Sequence, residues 1–147
     1  MKHYIFLLFF AFAAPLSAQK VNYNTSKDFV AKGYDVTEYF ANKAIRGASN
    51  FIATHDGVKY KFATQENLEK FKSNPEKYIP QYGGFCAYAI GVNSEKVDIN
   101  PKTFEIRDGK LYLFYNSWGI NTLEKWLEED PEKLLSQADV NWVKIKK

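Results

Sequence analysis

The chain has 147 residues, of which 46% are hydrophobic and 17% aromatic, and it carries 20 basic and 17 acidic side chains. Its length suits one ordinary domain. The net charge of +3 is too balanced to indicate nucleic acid or an anionic membrane as a partner.

The N-terminus has the three parts of a secretory signal peptide, which we assign to residues 1–18. Lys2 supplies the positive start, an apolar run extends from Tyr4 to Ala14, and Ala18 is a small residue suited to cleavage. The apolar run is shorter than the roughly 20 residues that cross a bilayer. We therefore predict cleavage after Ala18, no membrane span in the mature chain, and export to the periplasm or the medium.

The next segment, residues 19–32, is polar and unpatterned, and we predict a flexible leader before a domain that spans 33–147. Asp35 and Glu38 have the spacing of a capping box, in which an N-terminal side chain and a glutamate three residues later satisfy each other's backbone N–H groups. This spacing predicts a short helix that runs through Ala41.

Two later stretches repeat one pattern. Asp56-Gly57 and Asp108-Gly109 each separate two β-prone runs, which predicts two β-hairpins with tight turns. Helices are then expected to start at Asn74-Pro75 and Asp130-Pro131, because Asn or Asp caps a helix and Pro fits its first position. This agreement favours an internal ββαα duplication over coincidence. The predicted fold is α+β: one small domain with two β-hairpins and several short helices.

The strongest candidate for chemistry follows the first of these units. Gly83-Gly84 interrupts the chain, and Cys86, its one cysteine, is expected in the first turn of a helix from Phe85 to Ile90 that ends at Gly91. Unpaired helix N–H groups favour a thiolate at such a position, and paired glycines let a ligand approach the backbone. The alternative is a buried, inert cysteine that packs as a small hydrophobe.

Several motifs together resemble the YHS-domain family, in particular its exported bacterial form with a longer C-terminal half. They are Gly33-Tyr34-Asp35-Val36-Thr37-Glu38-Tyr39-Phe40, Tyr60-Lys61-Phe62, Asn74-Pro75-Glu76-Lys77-Tyr78 and Tyr82-Gly83-Gly84-Phe85-Cys86-Ala87-Tyr88-Ala89. The resemblance covers most of residues 33–142. It implies a small α+β domain associated with heavy-metal handling, in which cysteines are proposed to bind the metal. Metal-associated members have cysteines where this chain has Val36-Thr37-Glu38 and Ala63, so only Cys86 remains.

Three functions stay open on this basis. The first is an exported module that binds a metal ion or a small molecule at the Gly-Gly-Phe-Cys turn, through Tyr82, Gly83, Gly84, Cys86 and Tyr88. A copper or zinc ion would use Cys86, and His55 is a second metal-ligand candidate, although such sites need two to four soft or imidazole ligands. The second is a thiol-dependent enzyme or redox protein using Cys86. The third is a structural or interaction domain with Cys86 in its core. The oligomeric state is open.

Overall fold

The computed structural model describes residues 20–147, and the predicted signal peptide, residues 1–18, lies outside this range. The described residues form a mixed α+β domain, which confirms the predicted fold class. The strands are β1 (Thr25–Ser26), β2 (Phe29–Val30), β3 (Ile52–His55), β4 (Val58–Lys61), β5 (Asn100–Arg107), β6 (Lys110–Phe114), β7 (Asn116–Ser117) and β8 (Ile120–Asn121). The α-helices are α1 (Gln65–Ser73), α2 (Pro75–Tyr78), α3 (Ala87–Asn93), α4 (Thr122–Glu129) and α5 (Pro131–Ile145).

Four antiparallel hairpins with two-residue turns occur within residues 20–147. Both residues of each turn have positive φ, at Lys27-Asp28, Asp56-Gly57, Asp108-Gly109 and Trp118-Gly119. The two Asp-Gly hairpins are confirmed, since Asp and Gly tolerate the left-handed backbone that such turns require. The sequence does not predict the β1–β2 and β7–β8 hairpins, because neither Lys nor Trp is a usual residue at the first turn position.

The paired helices begin where the prolines predict. Pro75 and Pro131 occupy the first turns of α2 and α5, and Asp130 caps α5 by accepting a hydrogen bond from the N–H of Lys133 at 3.1 Å. Asn74 precedes α2 without a side-chain capping bond. Both units therefore run strand, strand, helix, helix, although the second contains the additional β7–β8 hairpin. Within residues 20–147, no helix has both the length and the apolar character to cross a bilayer.

The predicted capping box is only half formed. The Asp35 carboxylate accepts a hydrogen bond from the N–H of Thr37 at 2.9 Å, just before a 3-10 turn over Glu38–Ala41. The Glu38 carboxylate does not return this contact. It accepts instead from Nδ2 of Asn67 at 2.7 Å, while the N–H of Asp35 donates to the carbonyl of Ile45 at 2.8 Å.

Two clusters of buried side chains make up the core. One includes Tyr39, Phe62 and Phe71 and packs against the four-stranded sheet β1-β2-β4-β3, in which β2 and β4 are parallel. The other includes Phe114 and Trp126 and joins β6 to α3, α4 and α5. Large aromatic side chains fill both clusters, which is an efficient way for a small domain to bury apolar area.

Helix α3 differs from its predicted boundaries at both ends. Cys86 is the N-cap residue and the helix starts at Ala87. The helix continues through Gly91 to Asn93, because this glycine serves packing rather than termination. A Cβ at Gly91 would lie 2.9 Å from the carbonyl oxygen of Leu134, so its absence lets α3 and α5 approach closely.

The segment before the domain differs from the flexible leader predicted over 19–32. In residues 20–32, β1 and β2 form the edge of the sheet, and Val30 is fully buried. The N–H of Asn24 also donates to the carbonyl of Gly83 at 2.8 Å. Backbone hydrogen bonds to other elements hold this polar segment, and the buried side chains of Val30 and Ala31 pack it on the core.

Candidate binding site

The Gly-Gly turn is a close-packed junction between chain segments. Tyr82, Gly83 and Gly84 have φ values of 54°, 60° and 82°, so three successive residues lie in the left-handed region. A Cβ at Gly83 would lie 2.5 Å from the carbonyl oxygen of Asn22 and 3.1 Å from the ring of Trp142. The glycine pair admits a close backbone approach, as the sequence predicts, but the approaching backbone belongs to the chain itself.

Tyr82 fixes this turn to helix α5. Its side chain is buried, its hydroxyl donates to Oδ1 of Asp139 at 2.9 Å, and its ring packs against Tyr112 and Trp142. Burial and then the hydrogen bond to the Asp139 carboxylate raise the pKa of Tyr82 well above its ordinary value. The neutral hydroxyl is thus committed to a partner within the fold.

Cys86 is a core residue with 0% exposure. Its Sγ accepts the N–H of Tyr115 at 3.3 Å and lies 3.3 Å from Oγ1 of Thr122. The Thr122 hydroxyl itself donates to the carbonyl of Tyr115 at 2.8 Å, so the thiol is the donor in its contact with Thr122. Both hydrogen-bonding roles of the thiol are therefore used in joining α3 to α4 and to the end of β6.

Tyr88 is half-buried and holds α3 against α4. Its hydroxyl donates to Oε1 of Glu129 at 2.7 Å. This hydrogen bond, followed by burial, raises the pKa of Tyr88 to about 12. Like Tyr82, which joins the Gly-Gly turn to α5, Tyr88 acts as a fixed donor within the fold.

His55 occupies a different part of the fold from Cys86. Its Nε2 lies 3.3 Å from Oε1 of Glu76 and 3.7 Å from Oδ2 of Asp56, and its ring meets Phe71 edge-on. These contacts join the β3–β4 turn to α2, whereas Cys86 joins α3, α4 and β6. Within residues 20–147, no group of three or more His, Cys, Asp or Glu side chains is placed to hold a metal ion. Within the described residues, Cys86 and His55 therefore do not combine into a copper or zinc site.

The YHS resemblance implies further cysteines at Val36-Thr37-Glu38 and at Ala63, and these two positions lie next to each other. Both contact Asp35, which is fully buried. Its Oδ1 accepts from Oγ1 of Thr37 at 2.7 Å, and its Oδ2 accepts from the N–H of Ala63 at 2.7 Å and from Nδ2 of Asn67 at 2.8 Å. These neutral groups donate hydrogen bonds to the buried carboxylate, which compensates for its removal from water. The chain's own contacts therefore occupy the place where the two positions meet.

A groove of about 550 Å³ is lined by Lys32, Tyr34 and Arg46, by residues 98–102 and by residues 115–118, and none of the predicted site residues is among these. Strand β5 is irregular between Asn100 and Phe104, which interrupts its pairing with β6. In this interval Nδ2 of Asn100 donates to the carbonyl of Asn116 at 3.1 Å, and Nδ2 of Asn116 donates to Oγ1 of Thr103 at 3.1 Å. These amide contacts hold the hairpin against the irregular strand and shape the groove.

The wall of the groove carries positive charge. Lys32 and Asp98 form an ion pair of 2.7 Å, whereas Arg46 and Lys102 are exposed and make no ion pair within residues 20–147. The guanidinium carbon of Arg46 lies 5.1 Å from the ring centroid of Tyr34, a cation–π contact that restrains the side chain without using its N–H donors. Two cationic groups of the groove thus remain available to an anion.

Asp98 does not neutralise the positive charge of Arg46 and Lys102. Its burial opposes ionisation, but hydrogen bonds from Lys32 and Asn24 outweigh burial and lower the pKa of Asp98. The carboxylate therefore stays charged at neutral pH and neutralises Lys32, and the net charge of these four groove side chains is carried by Arg46 and Lys102.

Trp118 forms the tip of the β7–β8 hairpin beside this groove. Its side chain is 92% exposed and its φ is 53°. A bulky side chain is unfavourable at positive φ, where Asp, Asn or Gly is preferred, and the Asp-Gly hairpins show that this chain uses those residues elsewhere. Neither the turn conformation nor packing accounts for a tryptophan at this position.

Sequence reasoning missed this region for two reasons. It did not distinguish among the aromatic residues, although a tryptophan at the first position of an x-Gly turn between β-prone residues is a signal that could have separated Trp118 from the others. No local signal marks Arg46 or Lys102, because they converge only through the tertiary structure.

No protein-family model matches the chain, and neither a curated protein nor a solved structure matches it. The YHS resemblance therefore stays a prediction.

Proposed function

We propose that the protein is an exported binding module and that its ligand is an anionic molecule held in the groove by Arg46 and Lys102. The observation that carries this proposal is the exposure of both cations, without an ion pair within residues 20–147, at one concave surface beside an unpacked tryptophan. Guanidinium and ammonium groups are the side chains that bind carboxylates and phosphates most strongly.

The second arginine of the chain gives an internal contrast. Arg107 forms ion pairs of 2.7 Å with both Glu105 and Glu132. Hydrogen bonds to Glu105 lead the interactions that raise the pKa of Arg107. Where an arginine holds the fold together, carboxylates of the chain surround it. Arg46 is restrained by an aromatic ring instead, which keeps the charge open to a ligand.

The proposal replaces the binding site expected at the Gly-Gly-Phe-Cys turn. Gly83 is covered by the N-terminal segment and by Trp142, and Tyr82 is committed to Asp139. A thiol-dependent activity would need access to Cys86, whose Sγ is buried and hydrogen-bonded. These contacts favour a binding surface at the groove over chemistry at the turn.

Inorganic phosphate is the simplest probe of this proposal. Calorimetric titration of the purified protein should show saturable binding that weakens as salt is added, since the interaction is between exposed charges. The double variant Arg46→Gln/Lys102→Gln should bind at least roughly tenfold more weakly, because the loss of even one charged hydrogen bond costs about 1.5–3 kcal/mol.

The matched control is Lys125→Gln/Lys144→Gln, which makes the same change of net charge on exposed positions of α4 and α5. It should leave phosphate binding unchanged. Absence of phosphate binding, or an equal loss in both double variants, would contradict the proposed function.

A further inference from the structure

We infer that the anionic group taken by the groove is the headgroup of a lipid, and that the Trp118 hairpin anchors the domain to an anionic lipid surface. This inference rests on the proposed function, because it uses the same cations. It adds the source of the anion and the role of the hairpin tip.

The shape of the tip is the first argument. Ser117, Trp118, Gly119 and Ile120 are all exposed, so the end of the hairpin projects from the domain. Trp118 is 92% exposed and Ile120 46% exposed, which places two apolar side chains at one projecting end. Tryptophan is enriched at membrane–water interfaces because its ring is apolar and its N–H can still be hydrated.

The second argument is the charge beside the tip. Arg46 and Lys102 line the groove that Trp118 borders, and neither is neutralised by a carboxylate within residues 20–147. Ile45, the neighbour of Arg46, is 39% exposed and adds apolar surface at the same segment. Exposed apolar side chains next to cations are the arrangement by which peripheral proteins bind anionic bilayers. The net charge of the whole chain conceals this local excess.

Trp118 makes little contact with its own protein, and this favours a lipid over a soluble ligand as the partner of its ring. An aromatic ring that stacks on a soluble molecule is ordinarily held in place by neighbouring side chains, since a pre-organised ring loses less entropy on binding. Trp118 is 92% exposed, so within residues 20–147 little besides the hairpin backbone positions its ring. A fluid interface does not require a fixed ring orientation, so an unsupported indole suits a lipid surface.

Vesicle binding tests this inference directly. The protein is purified in the form whose mass shows that the apolar run of residues 4–14 is absent, because that run would itself bind lipid. It is then sedimented with vesicles of equimolar phosphatidylglycerol and phosphatidylcholine, and separately with phosphatidylcholine alone. We expect binding to the anionic vesicles only, with a blue shift of tryptophan emission.

Substitutions then assign the contacts. Trp118→Ala should abolish the blue shift and weaken binding at least roughly tenfold, as expected when an interfacial apolar anchor is removed. Arg46→Gln/Lys102→Gln should weaken binding about 30-fold, since each cation near an anionic surface contributes about 1 kcal/mol. Val143→Ala, at another exposed apolar position, and Lys125→Gln/Lys144→Gln should bind like the unmodified protein.

The outcomes distinguish this inference from the proposed function. Phosphate binding lost in Arg46→Gln/Lys102→Gln, without vesicle binding, overturns the lipid assignment and leaves the proposed function standing. Absence of both overturns both. Equal binding to neutral and anionic vesicles, or unchanged binding of Trp118→Ala, also overturns the lipid assignment. Self-association that Trp118→Ala abolishes, in the absence of vesicle binding, would assign the tip to a second copy of the chain instead.

Discussion

The Gly-Gly-Phe-Cys turn and the β7–β8 hairpin both contain unusual residues. Packing within the fold explains the residues of the turn but not the tryptophan of the hairpin. At the turn, Gly83 faces the backbone of Asn22, and the buried Cys86 satisfies a backbone N–H. At the hairpin, Trp118 is almost fully exposed at positive φ. A distinctive motif can thus reflect tight packing, whereas a residue that its own fold does not need is the better indication of a binding role.

The two regions should therefore respond oppositely to substitution. Changes at the turn should reduce folding stability, while changes at the hairpin and groove should leave stability nearly intact and alter binding. The expected effects on the free energy of unfolding decrease from the turn to the hairpin tip.

Gly83→Ala should have the largest effect. The new Cβ would lie 2.5 Å from the carbonyl oxygen of Asn22, at a φ of 60°. Backbone strain and this clash together should lower the free energy of unfolding by about 3 kcal/mol or more. Denaturant unfolding of the purified protein measures the change.

Gly57→Ala is the matched control for that substitution. Gly57 also has positive φ, at 77°, but no atom of residues 20–147 lies within 4 Å of the position that a Cβ would take there. Only the left-handed backbone contributes at this residue, at about 1–2 kcal/mol. Equal destabilisation by the two substitutions would contradict the close packing of the turn.

Cys86→Ala should have the next largest effect. It leaves the N–H of Tyr115 without its sulfur acceptor and opens a small cavity, so the free energy of unfolding should fall by about 2 kcal/mol. Cys86→Ser keeps a donor and an acceptor and should be less destabilising. Alkylation by iodoacetamide should require unfolding, and rapid alkylation of the native protein would contradict the buried position of the thiol.

Asp98→Asn should have a small effect that depends on pH. The folded state lowers the pKa of Asp98, so its charge stabilises the fold above the ordinary aspartate pKa of about 3.9, and this contribution is lost as pH falls through the lower, folded value. The Asp98 side chain is 60% exposed, so the contribution should be only about 0.5 kcal/mol. Unfolding at a series of pH values should show the difference from the unmodified protein shrinking in acid.

Lys32→Gln removes the partner in the same ion pair and should show the same dependence. A difference that stayed constant from neutral to strongly acidic pH would mean that the ion pair does not contribute.

Trp118→Ala should have the smallest effect on stability. Because the side chain is 92% exposed, the free energy of unfolding should change by no more than about 0.5 kcal/mol. Thermal unfolding followed by circular dichroism measures this change. A large loss of stability would show that the tryptophan has a structural role and would remove the contrast between the two regions.

Local sequence patterns predicted the parts of the fold that local physics determines. Asp56-Gly57 and Asp108-Gly109 form the expected turns because their residues accept positive φ, and Pro131 begins α5 because the first helical position needs no N–H donor. Gly91 was misleading, since its role is contact with the Leu134 backbone, which no local pattern shows. The short β1–β2 edge likewise depends on pairing with β4.

The candidate site depended on tertiary structure to a greater degree. The sequence identified Gly83 and Cys86 as unusual, but whether a glycine pair faces a ligand or another chain segment is decided by packing. Arg46 and Lys102 are 56 positions apart along the chain and meet only at the groove. Within the described part of the chain no carboxylate pairs with either of them, and this is a property of the folded surface.

The most direct test of a binding site at the groove is a titration of the isotopically labelled protein with inorganic phosphate, followed by amide and indole chemical shifts. We predict saturable shifts at Arg46, Lys102 and the Trp118 indole, with the amides of Gly83 and Cys86 unchanged. Shifts centred on Gly83 and Cys86, with the groove unaffected, would contradict this prediction and return the binding site to the turn.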